Sequence, residues 1–541
     1  MISLRDVSFV LPDGRLLLDR LNESFGGGAG EGGERAALVG RNGVGKTILA
    51  RIMAGLLSPS SGKIIREGIV FYLDQMLNPA HFDRVADLIG ASTALDAVRK
   101  AEKGEATEKD LERAEGHWDL EERAFREFSL AGLPHLTLDT PAPTLSGGEC
   151  TRAALVGAFL SEADFLILDE PTNHLDAPSR AALTEYLNTW KKDLLVVSHD
   201  RALLEEMERI VELSPPPGGL KSYGGNYSLY RELKAQERAA ALDRLNHAKA
   251  ERKQVASQLR LVADRQRKRA AAGNRLRDFH DTPRALLHAM RNTAEKTTGK
   301  LNRLKTDKTK ALAEAEKEAF LKAGIEDAVV LIPPACSVPD GKVVLRMEGV
   351  VLPYGAHRAP IDRTIRGPLR LAVEGANGSG KTTLLRILTN EISPLQGTCE
   401  VKVPWAMLNQ FADGQEERSS LELLRAGGAG KNLDEGEAGA RLAQVGVAGE
   451  RMKMPAGLLS GGERLKVALL CALHGDPPPQ LLILDEPTNH LDADSVESVE
   501  KLLNAWTGAL IAVSHDSRFL ERIGVTERLL LAGENREDRF R

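Results

Sequence analysis

The stretch LILDEPTNHLDA at residues 166–177 recurs letter for letter at residues 482–493. An apolar run that closes on acids is a buried parallel strand whose carboxyl end meets a ligand. Asp169 and Asp485 are then placed to hold Mg²⁺ through its water shell. Glu170 and Glu486, one residue on, can orient or deprotonate an attacking water. An acid at a strand end is otherwise a helix cap or a surface charge, and the repetition beside PTNHLD argues against both.

Working outward, the flanking motifs repeat in the same order. GRNGVGKT at 40–47 returns as GANGSGKT at 375–382, LSGGE at 145–149 returns at 459–463, and VSHD at 197–200 returns at 513–516. Such self-similarity means two copies of one domain. A strand-like stretch precedes each GxxxxGKT (36–40 and 370–375) and a helical one follows, as a phosphate-binding loop requires. Gly40, Gly43 and Gly45, with Gly375, Gly378 and Gly380, let backbone N–H groups at Asn42 and Asn377 turn toward phosphate oxygens, and the helix N-terminus adds its positive end. Lys46 and Lys381 reach the β- and γ-phosphates of ATP, and Thr47 and Thr382 are Mg²⁺ ligands. A lone histidine is more often structural than catalytic. Here His199 and His515 sit at matching strand ends, each 29 residues after its glutamate, which favours a γ-phosphate sensor.

The spacing of the copies locates an insertion. Gln75 to Ser146 spans 71 positions and Gln410 to Ser460 only 50, so about twenty extra residues follow the first glutamine. Residues 94–130 read as charged helix with few apolar anchors. They form either a longer solvated helical pair or a projecting arm that touches a partner.

Charge is unevenly spread. The 541 residues carry a formal net charge of −5, yet residues 231–310 hold 22 Lys+Arg against 9 Asp+Glu, a surplus of +13 that leaves −18 elsewhere. The stretch from about 228 to 325 lacks strand patterning and is rich in strong helix formers. Gly273 and Asn274 suit a helix C-terminus, and Thr282 before Pro283 suits the start of the next helix. The expectation is a helical hairpin with helices near 228–271 and 283–323 and a tip at 273–282. A basic hairpin between acidic domains is either a solvated coiled coil or the footprint of a polyanion; the crowding of Arg265, Arg267, Lys268, Arg269, Arg275 and Arg277 near the tip favours nucleic acid. The four cysteines are scattered, with no metal-ligand spacing, which fits a reducing cytoplasm. No apolar run approaches the ~20 residues that span a bilayer, and no signal peptide is visible.

These motifs in this order resemble the ATP-binding cassette superfamily. The resemblance implies an α/β fold of two phosphate-loop ATPase domains, 1–227 and 326–541, joined by the 228–325 linker. It implies that LSGGE is the family's signature motif and that the cassettes pair head to tail within one chain, as a monomer. Each ATP would lie between one phosphate loop and the other cassette's signature, Ser460, Gly461 and Gly462 or Ser146, Gly147 and Gly148. Gln75 and Gln410 match the Q-loop, and Asp176 and Asp492 the D-loop. Tyr354 matches the aromatic that stacks on adenine; the first half has Asp13 at that place, with Phe9 the nearest aromatic that could stand in. Both sites retain their catalytic motif residues, so both are expected to hydrolyse ATP.

Tandem cassettes, DEPTNHLD in both, GNYS before the linker and the charged linker itself together resemble the ABC-F family over nearly the whole chain. That resemblance implies a ribosome-associated translation factor, with ribosomal and transfer RNA as partners, that clamps on with ATP and leaves on hydrolysis. Some members protect ribosomes from antibiotics, others regulate elongation, and the sequence does not choose between them. The competing expectations are a DNA-directed ATPase of repair or chromosome maintenance and the motor of an exporter with a separate membrane partner.

Overall fold

In the computed structural model the described residues are 1–27, 32–75, 77–161, 163–173, 175–216, 218–277, 336–408, 417–426, 433–475, 477–489 and 491–531, without the side chains of 256, 259, 260, 262–277 and 493. The chain divides into two units. One comprises Met1–Tyr227 with Val329–Arg541, and the other runs from Ser228 to Ala328.

The first cassette runs β1 (Ile2–Val10), β2 (Leu16–Phe25), β3 (Arg35–Val39), α1 (Lys46–Ala54), β4 (Ser61–Arg66) and β5 (Val70–Leu73). There follow α2 (Val85–Leu88), α3 (Ser92–Glu102), α4 (Glu108–Ala114), α5 (Leu120–Leu130), α6 (Gly147–Leu160), β6 (Phe165–Asp169), α7 (Ala177–Asn188), β7 (Asp193–Val197), α8 (Arg201–Glu205), β8 (Arg209–Ser214) and β9 (Gly219–Gly224). The long helix α9 (Tyr227–Arg277) comes next. The second cassette repeats the plan with β10 (Val343–Val351), β11 (Ile361–Arg366), β12 (Arg370–Glu374), α10 (Lys381–Leu388), β13 (Gln396–Val401) and β14 (Trp405–Leu408). Then come α11 (Ser420–Ala426), α12 (Glu435–Gln444), α13 (Gly461–Leu473), β15 (Leu481–Asp485), α14 (Ala493–Ala505), β16 (Ala509–Val513), α15 (Ser517–Arg522) and β17 (Glu527–Leu530).

Each cassette is built on a parallel sheet, ordered β5-β6-β7-β3-β8-β9 in the first and β14-β15-β16-β12-β17 in the second, with only β9 antiparallel. A small antiparallel sheet accompanies each, β2-β1-β4 and β11-β10-β13. The central strands FLILD and LLILD read as continuous apolar runs because both faces are covered, and every residue of β6 is buried. In the first cassette one sheet face packs against α1 and β1 through Leu4, Phe25, Leu49, Met53 and Ile167. In the second, Leu484, Leu503, Trp506 and Phe519 fill the opposite face of the sheet beneath α13, α14 and α15.

The inserted segment departs from expectation. It forms three helices, broken where Gly104 and Gly116 take left-handed backbone (φ 74° and 77°). Nor is it poor in anchors: Leu95, Val98, Ala114, Leu120, Ala124 and Phe128 are buried. Arg99 ties it together by pairing with both Glu121 (2.6 Å) and Asp139 (2.7 Å). Trp118, Phe125 and Leu130 remain exposed. The long helix also differs, for α9 continues through Gly273 and Asn274 to Arg277. One interior glycine costs about 1 kcal/mol, and Ala270, Ala271 and Ala272 before it with Arg275 and Arg277 after it are strong helix formers. The remainder of the tip and the 283–323 helix lie outside the described residues.

Trp506 is 1% exposed in the second core. Trp506→Ala should destabilise that cassette by about 3–5 kcal/mol. Urea unfolding reports this as a lower midpoint at an unchanged slope; an unmoved midpoint would remove Trp506 from the core argument.

Candidate nucleotide sites

The two phosphate loops are built alike. Gly45 (φ 104°) and Gly380 (φ 112°) precede α1 and α10 in left-handed backbone, and no side chain caps either helix. Elsewhere Asp176, Asp200, Asp492, Asp516, Ser146 and Ser460 cap their helices with side-chain oxygens. The loop helices thus point uncapped N-termini at the loop, a ready anion site. Gly40 could not be replaced: its φ is 152°, and a Cβ there would lie 2.4 Å from the Leu213 carbonyl. The Lys46 ammonium donates to the carbonyls of Gly40 (2.8 Å) and Arg41 (3.1 Å), and Lys381 to those of Gly375 (2.7 Å) and Ala376 (3.2 Å).

The acids meet these lysines at the strand ends. Asp169 ends β6, accepts a hydrogen bond from Tyr72 Oη (3.2 Å) and has Thr47 beside it. Its Oδ1 is buried with no partner among the described residues. Asp485 has Thr382 beside it in the same way. A threonine hydroxyl beside one carboxylate fits Mg²⁺, which takes one or two protein ligands and shares the rest with phosphates and water. Among the described residues no cluster of three or more acids, histidines or cysteines offers a metal site of another kind.

Glu170 and Glu486 carry a signal that no sequence pattern gives. Both have positive φ, 48° and 47°. Such backbone is uncommon outside glycine and, observed in duplicate, points to function. It is held by neighbouring strands, Glu170 N–H donating to Val197 O (2.7 Å) and Glu486 N–H to Val513 O (2.9 Å). The histidines meet the glutamates, with His199 Nε2 3.5 Å from Glu170 Oε1 and His515 Nε2 3.2 Å from Glu486 Oε1. Burial raises the Glu486 carboxyl to about 7, with Lys381 opposing and Asp485 adding to the rise. Burial likewise raises Glu170 and lowers both histidines, so the imidazoles stand neutral.

The D-loop aspartates reach across the molecule. Asp492 of the second cassette accepts the backbone N–H of Asn42 in the first phosphate loop (3.1 Å). Asp176 of the first accepts that of Asn377 in the second (2.9 Å). Each aspartate uses its other oxygen to cap its own helix.

A cavity of about 980 Å³ at the first site is lined by Asn42, Lys46, Gln75, Asp169, Glu170 and His199, and from the second cassette by Asn489 and Leu491. One of about 310 Å³ at the second site is lined by Asn377, Lys381, Thr382, Asp485, Glu486 and His515. The signature residues lie at the N-termini of α6 and α13 and are not among the walls of either cavity. There Ser146 and Ser460 form capping boxes with Glu149 and Glu463. Gln410 lies outside the described residues, as do the side chains of Arg265, Arg267, Lys268, Arg269, Arg275 and Arg277. Tyr354 is exposed, and the chain after it packs against Gly380. Phe9 does not stand in for it, because its ring packs on the first-cassette core. Leu11, Arg15 and Leu17 line the first site instead, with Asp13 turned back to accept the Arg15 N–H (2.9 Å).

The ABC transporter family model matches twice, at residues 30–173 and 360–489. The energy-dependent translational throttle protein EttA of Mycobacterium tuberculosis is 31% identical, over 97% of this chain and 90% of that one. The tylosin resistance ATP-binding protein TlrC of Streptomyces fradiae is 30% identical, over 91% of each. ATP-binding cassette sub-family F member 3 of mouse is 29% identical over 91% of this chain and 66% of its own length. The chain belongs to the ABC-F family. A solved archaeal ribosome recycling factor shares the fold at TM-score 0.55 and 18% identity, covering 97% of this chain and 87% of its own. This ABC-F chain therefore carries two ATP-binding cassettes, a domain that binds ATP generally with Mg²⁺. No helix among its described residues is long and apolar enough to cross a membrane.

Replacing both Asp176 and Asp492 by Ala should loosen the pairing of the cassettes, each lost bond to a charged acceptor being worth about 1.5–3 kcal/mol. Small-angle scattering would then record a larger radius of gyration; an unchanged radius would mean that other contacts hold the halves together.

Proposed function

We propose that this ABC-F protein is a ribosome-associated translation factor that binds in its ATP-closed state and leaves on hydrolysis in the cytoplasm. The observation that carries the reading is the reciprocal pair of bonds from each D-loop aspartate to the other cassette's phosphate loop. Nucleotide bound at either loop then bears on how the two cassettes meet. The +13 surplus of residues 231–310 supplies the attraction to RNA. Relatives named for translational throttling and tylosin resistance support the ribosome over DNA and over a membrane partner.

At each site Lys46 or Lys381 moves from its loop carbonyls onto the β- and γ-phosphates. Thr47 with Asp169, and Thr382 with Asp485, would hold Mg²⁺, which neutralises phosphate charge when bound. Glu170 and Glu486 orient the attacking water and accept its proton, since a carboxyl lifted toward neutrality by burial is a competent base. His199 and His515, neutral and fixed beside the glutamates, sense the γ-phosphate. The sites are composite, each completed by the opposite cassette's signature, Ser146–Gly148 or Ser460–Gly462. Tyr354 covers adenine at the second site. Domain limits of 1–227, 228–325 and 326–541 fit this division of labour.

Glu170→Gln combined with Glu486→Gln should abolish ATP turnover while sparing ATP binding. Sedimented with purified ribosomes over a salt series, this variant should pellet only with ATP and should do so through moderate salt. Binding that ignores ATP and vanishes with salt would reduce the interaction to charge and turn the search to DNA.

Deleting residues 262–285 should leave basal ATPase activity intact and abolish the ribosome pelleting. Unchanged pelleting would make the linker a spacer.

A further inference from the structure

The two halves of the interface are not equivalent. Arg201 opens α8, two residues after His199. Its guanidinium lies 3.1 Å from Glu500 Oε1 on α14 of the other cassette, with side chains only 8% and 5% exposed. Arg522 takes the second oxygen of Glu500, also at 3.1 Å. The interval from Asp176 to Asp492 equals that from His199 to His515, namely 316 residues, so the counterparts follow by position. Those of Arg201, Glu500 and Arg522 are Ser517, Thr184 and Glu206. None of these three can rebuild the pairing, although all three, like Arg201 itself, line the large cavity. One half of the interface holds a buried ion pair that the equivalent positions of the other half do not make.

A second contact adds to the difference. Arg180 on α7 pairs with Asp200 (3.3 Å), the residue between His199 and Arg201. The counterpart of Arg180 is Val496, which has no charge to offer Asp516. The segment His199–Asp200–Arg201 is therefore gripped from its own cassette through Asp200 and from the other through Arg201. Ser517 has no such partner, and the cross-cassette pair beside it, Arg518 with Glu205 (3.2 Å), has its guanidinium half exposed where Arg201 is buried.

We propose that Arg201 is a positioning residue for the first nucleotide site alone, holding His199 in place only while the cassettes are closed. The pair spans two cassettes, so it forms when they meet and breaks when they part. Parting returns the guanidinium to water while Glu500 keeps Arg522, so the contact exists only while the interface is closed, and on one side of it. The first site then carries a buried contact that reports closure, where the second has only the half-exposed pair of Arg518 with Glu205, which water weakens. The sites differ in how closure reaches them, although their catalytic residues match. The inference rests on the reading of Glu170 and Glu486 as the groups that carry hydrolysis at the first and second sites.

Turnover is measured on the full-length protein in two backgrounds, Glu486→Gln, in which only the first site works, and Glu170→Gln, in which only the second works. Arg201→Met should lower kcat of the first-site background by about tenfold or more with KM little changed, since a displaced catalytic geometry has that effect. The second-site background should change by less than about twofold on the same grounds. Arg201→Lys, which keeps a cation opposite Glu500, should recover much of the loss. The pair Arg201→Met with Glu500→Leu replaces the charges by apolar groups and keeps the fold sound where the single change harms it. It should show the same first-site defect. Equal losses in both backgrounds, or full first-site turnover in the double replacement, would overturn the proposal. Persisting turnover with both glutamates replaced would sink the base assignment, and this proposal with it, by a result that neither of those outcomes resembles.

Discussion

Two bonds between a carboxylate and a backbone amide organise this molecule: Asp492 to the Asn42 N–H and Asp176 to the Asn377 N–H. Each aspartate does two jobs with its two oxygens, capping the helix it precedes and holding the phosphate loop of the other cassette. Each phosphate loop is thereby tied to the segment that follows the other cassette's Asp–Glu pair. In the proposed cycle this contact is what links occupancy of a loop to closure. A carboxylate serves better here than an amide, because it accepts from two backbone N–H groups with charge-assisted bonds.

The same economy explains the strand ends. β6 and β15 are apolar to their last residues and then turn abruptly. Asp169 and Asp485 close the strands, and Glu170 and Glu486 turn out of them in left-handed backbone. The strained torsion is sustained by strand neighbours that fix the amide, and the carboxylate meets the histidine just past the end of the neighbouring strand. Burial then does the electrostatic work, since neither a charged imidazole nor an ionised carboxylate is favoured in so dry a place. The phosphate-loop lysine opposes that tendency at each glutamate and reinforces it at each histidine.

Much of this was legible in the sequence because the chain states it twice. Strand, loop and helix around Lys46 and Lys381 follow from glycine spacing, and the parallel sheets from apolar runs that end in acid. Other features were not legible, for physical reasons. The torsion of Glu170 is set by Val197, on another strand. Phe9 alternates into the core because β1 packs on the sheet, which a search for a nearby aromatic overlooks. The insertion's anchors are hidden in a charged sequence because Gly104 and Gly116 break it into short helices, so its buried residues follow no single helical period. Gly273 and Asn274 read as a stop, but strong helix formers on both sides outweigh a local preference of about 1 kcal/mol.

Duplication also conceals. Identical motifs invite the conclusion of identical sites, and at the level of Lys, Thr, Asp, Glu and His the conclusion holds. The divergence lies one helical turn away. Arg180 and Val496, Arg201 and Ser517, and Glu500 and Thr184 occupy equivalent positions with unlike chemistry. Such pairs carry no motif and are visible only once α7, α8 and α14 are brought together across the interface. A buried ion pair contributes little net stability compared with apolar packing of the same volume. What it supplies is a contact that depends sharply on distance and partner. An apolar seam tolerates a small parting of its surfaces; a guanidinium and carboxylate withdrawn from water do not. Placed beside one switch histidine and absent beside the other, that contact makes two chemically matched sites respond unequally to the same motion.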